Sequence, residues 1–375
     1  MREVNLLNRL ARQFLFLIVL LTQMCGVTTF VYSSKAQGFR QSGILRLYSS
    51  LILSLVAFVL VINISKMFDK LQVVWPYLVG SIVMLVVRVQ GFMDSSDIVE
   101  LLNEILEILR QVKVMARNPN IFRLRHFMLL LLTLQNLLRS LTMLIGFKKF
   151  SEEAYDTLAN TILMLILLGV LLSFLLQITL NICLFVVLIA VYNELHRDIQ
   201  RISNDMDKLG ASQVLESGQF LVLVEQLQRI TERVIRLRWK VYNLTLRIIR
   251  HFRFYWLCAI TYGLIPFLGF TAIDHHGFYY LTVSALNIIF QCTIFKILSG
   301  ESRISRSFSS FQLGNYLKEI DRIIEELLHQ EIRTTIQVTI YGITLDTRFL
   351  MKLLSISAFW VLVNRQGYLH LHCTH

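Results

Sequence analysis

The chain has 375 residues, 55% of them hydrophobic, and 37 lysines and arginines against 25 acidic residues give a formal charge of +12. With a mean hydropathy of +0.59, the composition leaves too few polar residues to cover a water-soluble domain of this size. The basic residues fall between apolar runs, where they set membrane orientation and contact anionic lipid. Membrane lipid is therefore an expected partner and nucleic acid is not.

Eight apolar stretches approach the roughly 20 residues that a helix needs to cross a bilayer. In chain order they cover 14–31, 44–64, 72–92, 127–146, 158–191, 254–273, 278–298 and 347–366. The fifth stretch is too long for one bilayer, so we expect it to leave the membrane as a continuous helix.

The distribution of basic residues favours one topology. If the last seven stretches are the spans and residues 1–43 are cytoplasmic, 27 of the 37 lysines and arginines lie in cytoplasmic pieces and only 5 in outer ones. This positive-inside asymmetry predicts an all-α, polytopic membrane protein of one domain, 1–375, with seven transmembrane helices. Its N-terminus is expected in the cytoplasm and its C-terminus outside the cell.

The first apolar stretch does not fit as a span in this topology. Crossing the membrane would place Arg2, Arg9 and Arg12 on the outer side. We therefore expect 14–31 to form a re-entrant or interfacial helix packed against the bundle. Eight true spans are the alternative.

A cytoplasmic helical layer is predicted from 93–126, 192–253 and 299–346, because apolar residues recur there at helical spacing. Such amphipathic helices either lie on the inner leaflet or pack into a shared layer between subunits. Gly210 and Gly218 indicate a break in the second piece. No internal repeat is visible, which disfavours an inverted-repeat transporter.

The sequence contains no recognisable catalytic motif, and Asp and Glu are essentially absent from the spans. An enzyme is therefore not expected, and neither is a cofactor. Histidines in the shortest outer loop and at the C-terminus could in principle share zinc, but a solvated loop and a frayed tail explain them better. These residues are His275, His276, His370, His372, Cys373 and His375.

Five basic residues fall within the predicted spans. Arg46, Arg88 and Lys296 lie near cytoplasmic ends, where long side chains reach the interface. Arg139 lies deeper, and together with Asn136 and Thr142 it forms a polar stripe that belongs on the bundle interior.

The polar stripe has two interpretations. One is a cluster of interhelical hydrogen bonds, and the other is the wall of an outward-facing ligand pocket. Tyr280, Ser284 and Asn287 share one face of another predicted helix and would complete such a pocket.

The C-terminal segment resembles the signature of insect gustatory receptors. Residues 340–346 read Ile-Tyr-Gly-Ile-Thr-Leu-Asp, and an apolar helix then leads to Gln366, 20 positions after Asp346. Phe359 and Trp360 stand where the family has Thr-Tyr. The chain length, seven spans and long basic cytoplasmic loops also resemble this family.

The resemblance implies a ligand-gated, non-selective cation channel in the plasma membrane of chemosensory neurons. It also implies a homo- or hetero-tetramer with related subunits, a small-molecule tastant, and a pore lined by the seventh span. The departures from the signature favour a bitter-type receptor over a sugar receptor. The candidate pore and gate residues of that span are Leu354, Ala358, Val361, Leu362 and Gln366. A G-protein-coupled receptor with an outer N-terminus and a membrane transporter are the alternatives.

Overall fold

The structure is a computed structural model dominated by long helices. It describes residues 2–67, 71–115, 121–152, 158–211, 217–269, 275–302, 322, 325, 336–341, 343–345 and 347–373. The helices of these ranges that carry the fold are α1 (Arg2–Met24), α2 (Gly43–Met67), α3 (Leu71–Met93), α4 (Ser95–Met115), α5 (Leu124–Glu152), α6 (Leu158–Ala211), α7 (Ser217–Gly269), α8 (His275–Glu301) and α9 (Thr347–Cys373). Two antiparallel hairpins accompany them, formed by β1 (Phe30–Ser33) with β2 (Gly38–Gln41) and β3 (Thr339–Ile340) with β4 (Ile343–Thr344).

The predicted helical class is confirmed, and each of the seven predicted spans falls on a helix as far as the described residues extend. Length and apolar composition alone qualify four helices of the described part to cross a membrane. They cover Leu6–Met24, Gly43–Ile62, Gly169–Ile202 and Leu281–Glu301. The other predicted spans are shorter or more polar within the described ranges.

Helix α6 is the centre of the bundle. It runs unbroken for 54 residues, as the excess length of its apolar stretch predicted, and packs against α1, α2, α3, α5, α7 and α8. An aromatic cluster joins it to α7 and α8: Phe185 lies 5.6 Å from the rings of both Trp256 and Phe295. Within its apolar window Gly169–Ile202, 89% of the residues are buried, so this part of α6 is enclosed where most helices keep one face free.

Two of the three pieces predicted as cytoplasmic helices are helical where the structure describes them, and their position relative to the membrane stays a prediction. In the first piece, 93–126, the helical spacing covers 97–112, which forms most of α4. In the second piece, α6 extends to Ala211 and α7 begins at Ser217; Gly210 and Gly218 lie within these helices, and the residues between them are outside the described part of the chain. The third piece, 299–346, is described only at 299–302, 322, 325, 336–341 and 343–345.

The first apolar stretch differs from its predicted bounds. The helix begins at Arg2 and ends at Met24, and the strand β1 already begins at Phe30. Gly26, at φ 61°, ends the helix, with the amide of Val27 donating to the carbonyl of Thr22 at 2.7 Å. This is a Schellman-type end, and only glycine adopts its left-handed residue without strain.

Beyond α1 the chain returns to the connection between α3 and α5. The amide of Phe39 in β2 donates to Asn103 Oδ1 of α4 at 2.7 Å, and Asn103 Nδ2 donates back to the Phe39 carbonyl at 3.0 Å. At the other end of the segment, Asn8 exchanges two hydrogen bonds with the backbone of Phe122. Both ends of residues 2–41 are therefore held by the same connection.

Arg88 corrects one expectation. It was expected to reach the cytoplasmic interface, yet it is buried in α3 and donates to the carbonyls of Cys25, at 2.9 Å, and Gly26. Ser49 donates to the Gly26 carbonyl at 2.7 Å as well. The last carbonyls of a helix lack partners and carry negative partial charge, which explains why a buried guanidinium is retained here.

Candidate functional site

A small cavity lies inside the bundle where α5, α6, α7 and α8 meet. Its volume is about 30 Å³, enough for one or two water molecules. The described residues that line it are neutral, and they are Asn136, Leu137, Ser140, Phe174, Leu175, Ile178, Thr179, Ala259, Tyr262, Gly263, Ser284, Asn287, Ile288 and Gln291. The cavity thus combines an apolar and aromatic surface with one polar wall.

The polar wall is organised by a chain of hydrogen bonds between α5 and α8. The Ser140 hydroxyl donates to the Asn136 carbonyl at 2.9 Å, and Asn287 Nδ2 donates to Ser140 Oγ at 3.0 Å. Because the serine proton is already committed, the Asn287 side chain must present its amide nitrogen to Ser140 and keep its oxygen for another partner.

Two amide oxygens of this wall lack a partner. Asn287 Oδ1 and Gln291 Oε1 are buried and have no hydrogen-bond partner among the residues that the structure describes. Gln291 as a whole is only 5% exposed. Buried polar groups normally find partners, so oxygens left in this state mark a place for a hydrogen-bond donor.

The structure brings together three of the six predicted pocket residues. Asn136, Ser284 and Asn287 line the same cavity, whereas Arg139 is half-buried on α5 and is not among the lining residues. Thr142 and Tyr280 lie in α5 and α8, but their side chains fall outside the described residues.

Sequence reasoning missed four polar residues of the cavity. Gln291 and Ser140 could have been found, because each lies one turn beyond a residue already chosen, Asn287 and Asn136 respectively. Thr179 and Tyr262 lie within long apolar stretches, beside other polar residues such as Gln177 and Thr261 that do not line the cavity. No local signal separates them from ordinary core positions.

One cavity residue also contacts the last helix. Ile288 belongs to a small buried cluster with Cys292 of α8 and Leu350 of α9, against which Leu353 and Leu354 also pack. A wall of the cavity and the helix α9 therefore share one set of side-chain contacts.

Helix α7 makes room for Ile288 on the opposite side. A Cβ atom at Gly263 would lie 3.2 Å from both Cδ1 and Cγ1 of Ile288. The close packing of Ile288 on α7 thus depends on the absence of a side chain at position 263.

Helix α9 packs on the bundle through a narrow face. Leu350 and Ser357 are buried and Leu354 is half-buried, at the spacing of one helix stripe. Several other large apolar side chains of α9 are exposed in this single chain, namely Met351, Ile356, Phe359, Trp360, Leu362 and Val363.

The predicted pore residues divide between these two faces. Leu354 lies toward its own bundle, whereas Ala358, Leu362 and Gln366 are exposed. Val361 lies in α9, but its side chain is not among those described. The exposed members occupy the broad face of α9 that no other described element covers.

A layer of ion pairs connects the helices at the end of the bundle where α4 lies. Glu194 of α6 is 1% exposed and lies 3.1 Å from Arg197, 3.7 Å from Arg123 and 3.9 Å from Arg201. Arg123 belongs to the segment that leads into α5. Glu194 is buried while its arginine partners stay partly exposed, so we expect these pairs to fix how the helices meet more than to add stability.

A second set of ion pairs fixes α4 on α7. Arg247 of α7 donates to Glu100 at 2.7 Å and to Glu104 at 2.6 Å, both one turn apart on α4. The amphipathic helix predicted at 97–112 thus holds its acidic face against the basic face of α7. Arg125 of α5 is paired with Glu301 of α8 in the same layer.

His126 begins α5 within this layer. Its Nδ1 accepts a hydrogen bond from the Arg123 amide at 3.2 Å, as a capping side chain does at a helix start. The pKa of His126 is lowered to about 4, chiefly by burial and also by the neighbouring Arg125, while Glu301 opposes the shift. The ring is therefore neutral at physiological pH and free to accept.

Metal binding finds no support among the described residues, where no three His, Cys, Asp or Glu side chains converge. The histidines of the predicted outer loop and C-terminal tail lie beyond the described side chains.

Comparison with known proteins assigns the fold. Two structures of the insect olfactory receptor OR5 from Machilis hrabei, one of them in complex with eugenol, resemble this chain. The complex covers 96% of this chain and 99% of its own at a TM-score of 0.54 and 13% identity. The second structure covers 95% and 98% at a TM-score of 0.59 and 10% identity. The helical bundle described above therefore has the fold of these two receptor structures.

The sequence comparison then assigns the family. Gustatory receptor-like 65a of Drosophila melanogaster is 66% identical over 371 residues, which are 99% of this chain and 100% of that protein. No family model matches the sequence. The chain belongs to the insect gustatory receptor family, and the resemblance found in its C-terminal segment is confirmed.

Proposed function

We propose that this chain is a subunit of a ligand-gated, non-selective cation channel in the plasma membrane of chemosensory neurons. The observation that carries the proposal is the Ile288 cluster, which joins the wall of the internal cavity to α9. A ligand that displaces Ile288 also disturbs the packing of Leu350, and with it the seat of α9. Binding is thereby coupled to the helix that we assign to the pore.

The exposed apolar face of α9 supports an oligomer. Side chains such as Phe359 and Leu362 are left uncovered by the described part of this chain. Around a symmetry axis, four copies of α9 would cover part of this face and leave the rest lining a central path. Apolar side chains such as Leu362 would form a constriction that closes by dewetting, with Gln366 nearer the outer mouth.

The topology that fits this function has seven spans, formed by α2, α3 and α5 to α9. In this arrangement α1 enters the membrane from the cytoplasmic side and returns to it, which agrees with the attachment of both ends of residues 2–41 to the connection carrying α4. The buried ion-pair layer then lies at the cytoplasmic ends of the spans, where basic residues are retained.

The ligand is proposed to be a small-molecule tastant, of bitter type rather than sugar type. Departures from the family signature at Phe359 and Trp360 motivate this choice and suggest that a related subunit assists conduction. A G-protein-coupled receptor would need an outer N-terminus, which the basic residues of α1 oppose.

Current recording tests the channel function. The chain is expressed alone and with a related receptor subunit in cells that lack other receptors, and a panel of small molecules is applied. We expect ligand-evoked current that reverses near 0 mV with sodium and potassium on opposite sides. Ligand responses that need a G protein and carry no current of this kind would refute the proposal.

A conservative substitution tests the coupling. Ile288→Val removes one methyl group from the cavity wall, a change of about 0.5–1.5 kcal/mol in stability. We expect the maximal ligand-evoked current to fall while the amount of protein at the surface is kept. Leu286→Val, on the exposed side of the same helix, is the matched control and should leave the current unchanged.

A further inference from the structure

We infer that the cavity between α5 and α8 selects a small, neutral molecule that carries a hydrogen-bond donor, of the class of alcohols and phenols, and that Asn287 and Gln291 accept from it. The inference rests on the proposed function, because it assigns the ligand class of the same cavity. Its recognition elements are the two amide oxygens without partners.

The orientation of the amides sets the polarity of the ligand. The Ser140 hydroxyl donates to the Asn136 carbonyl, so it accepts from Asn287 Nδ2 and leaves Asn287 Oδ1 to accept. Gln291 Oε1 lies one helical turn further along α8 and is buried in the same wall. These two oxygens favour a ligand that carries a donor, since a ligand with acceptors alone would offer them no hydrogen.

The lining excludes charged ligands. None of the described residues around the cavity is acidic or basic. A cation would lose its hydration without gaining a counter-ion, and an anion would additionally meet the amide oxygens. A neutral donor such as a hydroxyl group gives up less hydration free energy than an ion when it enters the cavity. It also forms the hydrogen bond that the amide oxygens lack.

The opposite wall sets the rest of the molecule. Phe174 and Tyr262 form a tilted ring pair with centroids 5.0 Å apart, beside the apolar side chains of Leu175 and Ile178. This surface suits a ring or a short alkyl chain. The ligand class is therefore amphiphilic, with one polar end and an apolar body.

The size of the cavity connects recognition with opening. At about 30 Å³ it does not hold a molecule of this class without a change in the wall. Ile288 is closely packed on Gly263 and joins Leu350 of α9, so entry of the apolar body displaces the side chain that leads to α9. Selection by α8 and opening through α9 thus depend on neighbouring residues of one helix.

A pair of probes differing in one donor tests the inference. 4-Ethylphenol and 4-ethylanisole share a ring and an ethyl group, but the ether has no O–H. In the wild-type chain we expect the phenol to evoke half-maximal current at a concentration at least about tenfold lower than the ether. Equal potency of the two probes would overturn the inference and leave the channel function intact.

A substitution locates the effect. Gln291→Met replaces the amide by an apolar side chain of similar length, and it should raise the half-maximal concentration of the phenol about tenfold without weakening the ether. Gln135→Met, on an exposed face of α5, is the control and should keep the preference. A preference unchanged in Gln291→Met would also overturn the assignment.

Binding without current is measured separately, on the purified full chain. We expect the phenol to raise its melting temperature more than the ether does. If the phenol stabilises the protein but evokes no current, the channel proposal fails and the ligand class stands. If neither probe stabilises the protein or evokes current, the cavity holds water alone and the inference is refuted.

Discussion

The two helices α6 and α9 both coincide with predicted spans, yet this chain surrounds one and leaves the other open. Of the apolar window Gly169–Ile202 in α6, 89% is buried within the chain. In α9 only a narrow stripe near Leu350 and Ser357 is buried, and Phe359 is 67% exposed. The described part of the chain therefore buries α6 by itself, whereas the exposed face of α9 is available to lipid, water or further copies of the chain.

Removing one aromatic ring from each helix tests whether α6 and α9 differ in their contribution to folding, and it should have the largest effect. Phe185→Ala in α6 leaves a cavity among Trp256 and Phe295 and should cost about 3–5 kcal/mol of folding free energy. Phe359→Ala in α9 removes a ring that is exposed in the single chain. Surface labelling and detergent melting should therefore show loss of folded protein for the first variant and retention for the second. Equal loss in both would mean that α9 is needed for the fold of each subunit.

A substitution at Arg88 tests whether its hydrogen bonds hold the end of α1 in place. Arg88→Met keeps an unbranched side chain but removes the guanidinium that donates to the carbonyls of Cys25 and Gly26, which keep only the hydroxyls of Ser173 and Ser49. We expect a loss of about 1–3 kcal/mol, as for hydrogen bonds that involve a charged group. Melting of the purified chain measures it, with Arg46→Met, an exposed arginine of α2, as control. A loss equal to that of the control would show that Arg88 is not the partner that holds the end of α1.

The smallest expected effect concerns pH and His126, at the start of α5 where it packs on α6. The unfolded imidazole has a pKa near 6.5 and the folded one about 4, so below pH 6.5 the unfolded chain binds a proton that the folded chain does not. Stability from this residue is complete above pH 6.5 and is lost as the pH falls toward 4. Between pH 6.5 and 5.5 the wild type should lose about 1 kcal/mol relative to His126→Gln.

Glutamine is the matched replacement, because it can still accept from the Arg123 amide in the manner of a capping box and does not titrate. Burial raises the pKa of two carboxylates of α6, Glu194 and Asp198. Their effect on the pH dependence of stability is the same in both proteins and cancels in the difference. If melting shows that the stability of the two proteins changes equally between pH 6.5 and 5.5, the assigned role of His126 is wrong.

Local patterns in the sequence predicted much of the α6 region. The excess length of the 158–191 stretch predicted one long continuous helix, and α6 runs unbroken to Ala211. Helical spacing likewise placed Ser284 and Asn287 on one face. These features depend on residues within a few turns of one another, so periodicity and turn propensity reveal them.

Contacts between distant segments could not be predicted in the same way. Arg88 was expected at the interface because its depth in the span is visible in the sequence, but its partners lie 62 and 63 residues away at the end of α1. The hairpin β1–β2 rests on Asn103 of α4, a partner that no local pattern names. Thr179 and Tyr262 joined the cavity only through the packing of α6 and α7.

The central claim is that the exposed face of α9 lines a water-filled path opened by ligand, and modification of an introduced cysteine tests it most directly. The Leu362→Cys chain is treated with a water-soluble, charged thiol reagent while ligand-evoked current is recorded. The controls are Leu286→Cys, at an exposed position of α8, and the unsubstituted chain. We predict that the reagent alters the current of Leu362→Cys within the open state and leaves the other two unchanged. A Leu362→Cys chain whose current is no more sensitive than that of the unsubstituted chain would contradict the account.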